Sequence, residues 1–90
     1  MIVIRLAGQF RKLVEGKPEV ELIAGDVFEC INNLDNNYPG VKARLYDDNG
    51  EVREHVDIYL NGDNIRSLDG LSTPLKHGDE IDILSAFAAG

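Results

Sequence analysis

Leu75-Lys-His-Gly-Asp-Glu-Ile-Asp-Ile-Leu-Ser-Ala-Phe-Ala-Ala-Gly90 is the stretch that decides the fold. Its first part is a turn followed by a strand. His77-Gly78-Asp79 supplies the turn, since Gly78 can take a positive φ that a Cβ would resist. Glu80 to Leu84 then alternates, with Ile81 and Ile83 on one face and Asp82 and Leu84 on the other, the period of a strand with one buried face. After Leu84 the alternation stops. Ser85-Ala-Phe-Ala-Ala-Gly90 has no charged side chain and no bulk except Phe87. Such a segment cannot build a core, but it can thread into a narrow channel on another protein. Residues 1–85 are expected to form one domain and residues 86–90 a flexible tail, as for most untethered termini.

Outward from that strand, the chain supplies the platform. Its 90 residues suffice for one hydrophobic core, and its apolar and charged fractions, 43% and 28%, are those of an ordinary soluble globule. No apolar run approaches a membrane span, and Met1-Ile-Val-Ile-Arg-Leu6 lacks the basic leader and long apolar core of a signal peptide, so the cytoplasm is the expected location. Met1–Ala7 reads as a strand with Ile2, Ile4 and Leu6 on one face and Val3 and Arg5 on the other. Gly8–Pro18 is a connection with Phe10 and Leu13 as anchors, and Glu19–Leu22 is a second strand closing an antiparallel hairpin. At Asp26 the period changes. Asp26 and Glu29 have the spacing of a capping box, and Val27, Ile31, Leu34 and Tyr38 line one helical face until Pro39-Gly40 ends it. Val41–Tyr46 is expected to form a short helical turn with Leu45 inward, Asp47-Asp-Asn-Gly50 a turn, and Glu51–Glu54 a short edge strand. Val56–Leu60 is a strand with Val56, Ile58 and Leu60 inward, ended by Asn61-Gly62. Ile65 and either Leu68 or Leu71 anchor the stretch before Pro74. If the first and last strands are central neighbours, they run parallel, with the helix across the shared apolar face.

Several chemistries are set aside by the residue types. The lone Cys30, in the predicted helix, excludes an internal disulfide or a cysteine-built zinc site and reads as a small buried hydrophobe. Nine basic residues scattered among sixteen acidic ones, net charge −7, do not provide the cationic surface that nucleic acid demands. That charge suits either simple solubility or a partner with a basic face. His55 and His77 sit in or beside turns and read as solvated rather than as metal ligands. Asp47-Asp48 and Asp79-Glu80 read as turn and edge-strand chemistry rather than as a catalytic pair. On the outer sheet face, Tyr59 and Leu84 point away from the core. With Phe87 beyond them and Arg5 at the border, they are candidates for an exposed interaction patch beside the tail.

The element order, Val56-Asp-Ile-Tyr-Leu-Asn-Gly62, Leu75-Lys-His-Gly-Asp79 and the final strand running into a small-residue tail together resemble the sulfur carrier proteins of the ubiquitin-like, β-grasp fold. The resemblance covers essentially the whole chain and looks closest to the small subunit of molybdopterin synthase and the carrier of cysteine biosynthesis. It implies an α+β architecture, a mixed sheet of four to five strands on one main helix. It also implies a protein cosubstrate rather than an enzyme. A ubiquitin-activating-type adenylating enzyme uses ATP to convert the Gly90 carboxylate to an acyl adenylate, sulfur replaces the adenylate, and the resulting thiocarboxylate serves a sulfur-accepting synthase. No cofactor is bound by the carrier. Phe87, Ala88 and Ala89 would bind the partner by threading into its channel. The family usually ends in two glycines, whereas this chain ends Ala89-Gly90, which bears on which activating enzyme serves it. The Asn36–Gly40 and Ile58–Asn61 stretches and the apolar Ala86-Phe-Ala88 tail lean toward the cysteine type. Two other readings share the resemblance: a docking module that is never activated, and a modifier conjugated through Gly90 to a lysine.

Overall fold

The architecture is set by where the two ends of the chain meet. In the computed structural model, which describes residues 1–86, Ile2–Leu6 (β1) and Glu80–Ser85 (β5) run parallel, with Val3 opposite Glu80 through Leu6 opposite Ile83. Alternation makes each strand two-faced. Ile2, Ile4, Leu6, Ile81 and Ile83 are almost wholly buried, while Val3, Arg5, Asp82 and Leu84 face outward and are partly exposed. Val20–Leu22 (β2) pairs antiparallel with β1, and Val56–Leu60 (β3) pairs antiparallel with β5. The sheet order is β2-β1-β5-β3-β4, a mixed five-stranded β-grasp sheet.

Because β2 and β3 flank the central pair on opposite sides, the chain between them must cross one face. Val27–Asn37 (α1) makes that crossing and buries Val27, Cys30, Ile31 and Leu34. Its start is fixed as the Asp26/Glu29 spacing predicts. Asp26 Oδ1 accepts from the Glu29 amide at 2.8 Å, and Glu29 Oε1 accepts from the Gly25 amide at 2.9 Å, one residue upstream of the usual partner. Val41–Leu45 (α2) follows as the expected short helical turn, entered through Gly40 at φ 109° with Val41 and Leu45 fully buried.

Four local readings change. Gly8–Val14 winds into a 3₁₀ helix rather than a plain connection. Phe10 anchors it as expected, but the second buried anchor is Val14, with Leu13 only half-buried. Glu51–Glu54 is not a strand. The Asp47 turn folds back on itself (Asp47 amide to Glu51 carbonyl, 2.8 Å), and the Arg53 amide donates to Leu45 at 2.8 Å, so this segment is held by the end of α2 and keeps only an isolated bridge between Tyr46 and Val52. Asn61-Gly62 does more than end β3. With φ of 50° and 92° the two residues form the left-handed corner that joins β3 to a two-residue strand, Asp63–Asn64 (β4). Between the alternatives for the later anchor, Leu71 packs against the core while Leu68 is 42% exposed. Leu60 packs against the core without being fully buried.

Asn61 also sews its corner to β5. Its Nδ2 donates to Asp79 Oδ1 at 3.1 Å, its Oδ1 accepts from the Glu80 amide at 3.0 Å, and Asp79 Oδ2 accepts from the Lys76 amide at 2.9 Å. Asp79, 6% exposed, is thus spent on turn geometry. Asn61→Gly keeps the left-handed corner and removes the side-chain bonds. It is expected to cost about 1–3 kcal/mol in urea unfolding, the range for a buried hydrogen-bonding group left without its partner; an unchanged midpoint would show the bonds to be dispensable.

Cys30 is fully buried, and burial pushes its thiol from 9.0 up to about 12. In the unfolded chain the thiol ionises near 9, so the folded state keeps its full advantage below that pH and loses it as pH rises toward 12. Burial also raises the Tyr46 phenol from 10.0 to about 12, which acts in the same direction. Stability is therefore expected to fall between pH 9 and 12, and less steeply in Cys30→Ala. Parallel pH profiles for the two proteins would contradict this. Native Cys30 is further expected to resist thiol reagents until the protein unfolds.

Candidate functional site

The face of the sheet turned away from α1 carries the residues singled out above. Register places Arg5, Asp82 and Tyr59 in one row across β1, β5 and β3, with Leu84 opposite Asp57 in the neighbouring row. Arg5, Tyr59, Asp82 and Leu84, with Ala7, Arg11 and Pro18 from the β1–β2 connection, line a shallow groove of about 450 Å³. Tyr59 and Leu84 are each partly exposed. The structure therefore brings Arg5, Tyr59 and Leu84 together. Phe87, Ala88, Ala89 and Gly90 lie outside the described residues.

The two arginines at this groove differ in state. Arg5 donates to Glu80 at 2.5 Å and to Glu19 at 2.9 Å, with Asp82 at 3.9 Å. The hydrogen bonds to Glu80 and Glu19 raise its pKa, and its charge is spent locally. Arg11 forms no ion pair among the described residues, so it presents an uncompensated cation at the rim of an apolar-floored groove.

The groove adjoins the place where the chain leaves the sheet. Ser85 pairs with Val56, and the Ala86 amide donates to the His55 carbonyl at 2.6 Å, carrying the pairing one residue beyond β5. His55 precedes β3 and lies at the tail end of β5. His77 lies at the other end, exposed, its Nδ1 against the Met1 amino group. The two histidines are thus apart, and no group of three or more His, Cys, Asp or Glu among the described residues converges as a metal site. No helix among them is long and apolar enough to cross a membrane.

This architecture has close known counterparts. The ThiS family matches residues 4–90, nearly the whole chain including its last residue. The chain belongs to the ThiS family. It is 33% identical over 89 residues to small archaeal modifier protein 3 of Haloferax volcanii, covering 97% of this chain and 96% of that one. It is 34% identical over 77 residues to the sulfur carrier protein CysO of Mycobacterium tuberculosis, covering 83% of each. In three dimensions it superposes on a chain from the crystal structure of the Amycolatopsis orientalis BexX/CysO complex with a TM-score of 0.92 at 28% identity, over the full length of both. The sulfur-carrier resemblance read from the sequence is thereby established at the level of family and fold.

Arg11 and Pro18 lie in a connection without strand alternation, so no periodicity placed them on the outer face. Arg5 and Tyr59 stood in clear strands, and alternation found them.

The face makes a sharp contrast available. Ile83→Ala removes a fully buried side chain and is expected to cost about 2–5 kcal/mol of stability. Leu84→Ala, one residue on, is expected to cost about 1 kcal/mol or less. Equal losses in thermal unfolding would mean that Leu84 belongs to the core rather than to a docking face.

Proposed function

We propose that this protein is a sulfur carrier whose terminal carboxylate at Gly90 is the reacting group. It acts as a cosubstrate, and the catalytic groups belong to its partners. The observation that carries the reading is the ThiS-family match running through Gly90, on a domain that superposes over its whole length on a chain of the BexX/CysO complex. A carboxylate is a poor electrophile. An adenylating enzyme joins it to the α-phosphate of ATP with release of pyrophosphate, and a sulfur nucleophile then displaces AMP and leaves a thiocarboxylate. A terminal glycine suits this chemistry, since no side chain obstructs approach to the carbonyl. The groove at Arg5, Tyr59 and Leu84, with Arg11 at its rim, is the docking face, and the tail enters the partner's channel. Affinity then resides in the domain and reactivity in the tail, with backbone bonds and the burial of Phe87 offsetting the entropy of ordering it. The cytoplasm, where ATP and reduced sulfur are at hand, is the proposed setting. The identity to CysO favours delivery into cysteine-type synthesis over molybdopterin synthesis.

A second reading has its own support. Small archaeal modifier protein 3, the Haloferax relative, is matched over nearly its whole length. Conjugation through Gly90 to a lysine would use the same activated carboxylate with an amine in place of sulfur, so the two fates need not exclude each other.

Carrier-dependent exchange of labelled pyrophosphate into ATP by the cognate adenylating enzyme tests the shared first step. Deleting Gly90 is expected to abolish exchange. Leu84→Asp is expected to raise the carrier concentration needed for half-maximal exchange about tenfold or more, as for a truncated contact at an interface centre, without unfolding the domain. Full exchange by the Gly90 deletion would refute the reading, and so would its absence with the native chain.

A further inference from the structure

The base of the tail is held by a side chain that no alternation or motif marked. Arg66 follows β4 in a single 3₁₀ turn, where Asn64 Oδ1 caps its amide at 2.9 Å. Its guanidinium spans two points. Nη1 donates to Asp57 Oδ1 at 2.8 Å, and Nη2 donates to the Arg53 carbonyl at 3.0 Å. Asp57 stands opposite Leu84 in the β3–β5 register, and its side chain is only 20% exposed. The Arg53 carbonyl also accepts from the Val56 amide at 3.0 Å, and the Arg53 side chain is tied in turn to the Ala43 carbonyl at 3.3 Å. Two residues after Arg53, the His55 carbonyl receives the Ala86 amide, the most C-terminal backbone hydrogen bond among the described residues.

We infer that Arg66 is a positioning residue: by bracing Asp57 of β3 against the Arg53–His55 turn, it fixes where the chain leaves the sheet on its way to Gly90. The rigid fork of a guanidinium reaches the two acceptors from two nitrogens at a fixed spacing, whereas lysine has three donors on one nitrogen and must bring that single atom within reach of both. Arg66 does not line the outer groove, and its contact with the docking face is indirect, through Asp57 opposite Leu84. Its effect falls on the reaction step. A tail launched from a loosened base spends less time with its carboxylate in the reactive pose, which lowers the effective concentration at the partner's site. The inference rests on the reading of Gly90 as the activated residue, and its test separates the two.

Hydrogen exchange of the Ala86 amide, compared with the amides of Ile81 and Ile83 in the centre of the sheet, measures the brace without any partner. In Arg66→Ala, Ala86 is expected to exchange about five- to tenfold faster relative to those amides, as for loss of one net hydrogen bond. Arg66→Lys is expected to restore little of the protection. Activation kinetics by the adenylating enzyme are then expected to show a several-fold drop in kcat with KM unchanged. An Ala86 amide that keeps pace with the core amides in Arg66→Ala overturns the inference, leaving a purely global stabilising role. Faster Ala86 exchange with unaltered kcat overturns it as well. If the native chain is not activated at all, the proposed function fails, while the exchange comparison still decides whether Arg66 holds the strand end.

Discussion

The parallel pairing of β1 with β5 is the constraint on which everything else depends. It joins the two ends of the chain, so every intervening element must form within a loop that those strands close. Closing a loop of that span costs entropy that grows only slowly with its length, but the cost is met before most of the compensating contacts exist. Compensation comes from the apolar rows of the two strands, Ile2, Ile4 and Leu6 beside Ile81 and Ile83, each almost fully removed from water. Burial of one such side chain contributes about 1.5–3 kcal/mol. The same pairing puts β2 and β3 on opposite flanks, obliges α1 to cross beneath, and leaves the outer face to Arg5, Tyr59, Asp82 and Leu84.

It also directs the C-terminus. β5 lies in the middle of the sheet with β1 on one side and β3 on the other, so the strand preceding the tail is braced along both edges. The chain leaves this rigid element beside His55. On the proposed function, the division is physically economical: an ordered face supplies recognition, and a short small-residue segment supplies a carboxylate without steric shielding. The difference between the two arginines at the groove fits such a face. Arg5 is consumed in holding Glu19 and Glu80, an internal matter of β1 and its neighbours, while Arg11 forms no ion pair among the described residues.

Much of this was legible from the residues, because periodicity is a strong signal wherever one face is buried. Ile2, Ile4 and Leu6, then Ile81 and Ile83, announced strands, and Val27, Ile31 and Leu34 announced the helix, capped at Asp26 as its spacing required. Tyr59 and Leu84 followed as outward residues by alternation alone. Legibility failed where hydrogen bonds rather than burial set the local structure. The place of Glu51–Glu54 after the Asp47 turn predicts an edge strand, yet the Arg53 amide and side chain are engaged by the end of α2, so the segment never joins the sheet. Val14 hid in a polar connection because a 3₁₀ turn brings it inward at a spacing that strand alternation does not show. Arg66 was invisible because its partners, Asp57 and Arg53, are set by a tertiary corner at Asn61-Gly62 rather than by any local repeat. Phe87, Ala88, Ala89 and Gly90 owe their assigned roles to resemblance and family membership, since four small or apolar residues specify no partner by themselves.

The central claim is chemical, and intact-mass spectrometry reads it directly. The protein is incubated with ATP, a sulfide source and the adenylating enzyme of the same organism, then weighed whole and fragmented. The account predicts exchange of one oxygen for one sulfur, confined to Gly90. An unchanged mass, from an enzyme shown active on a carrier ending in two glycines, would contradict it.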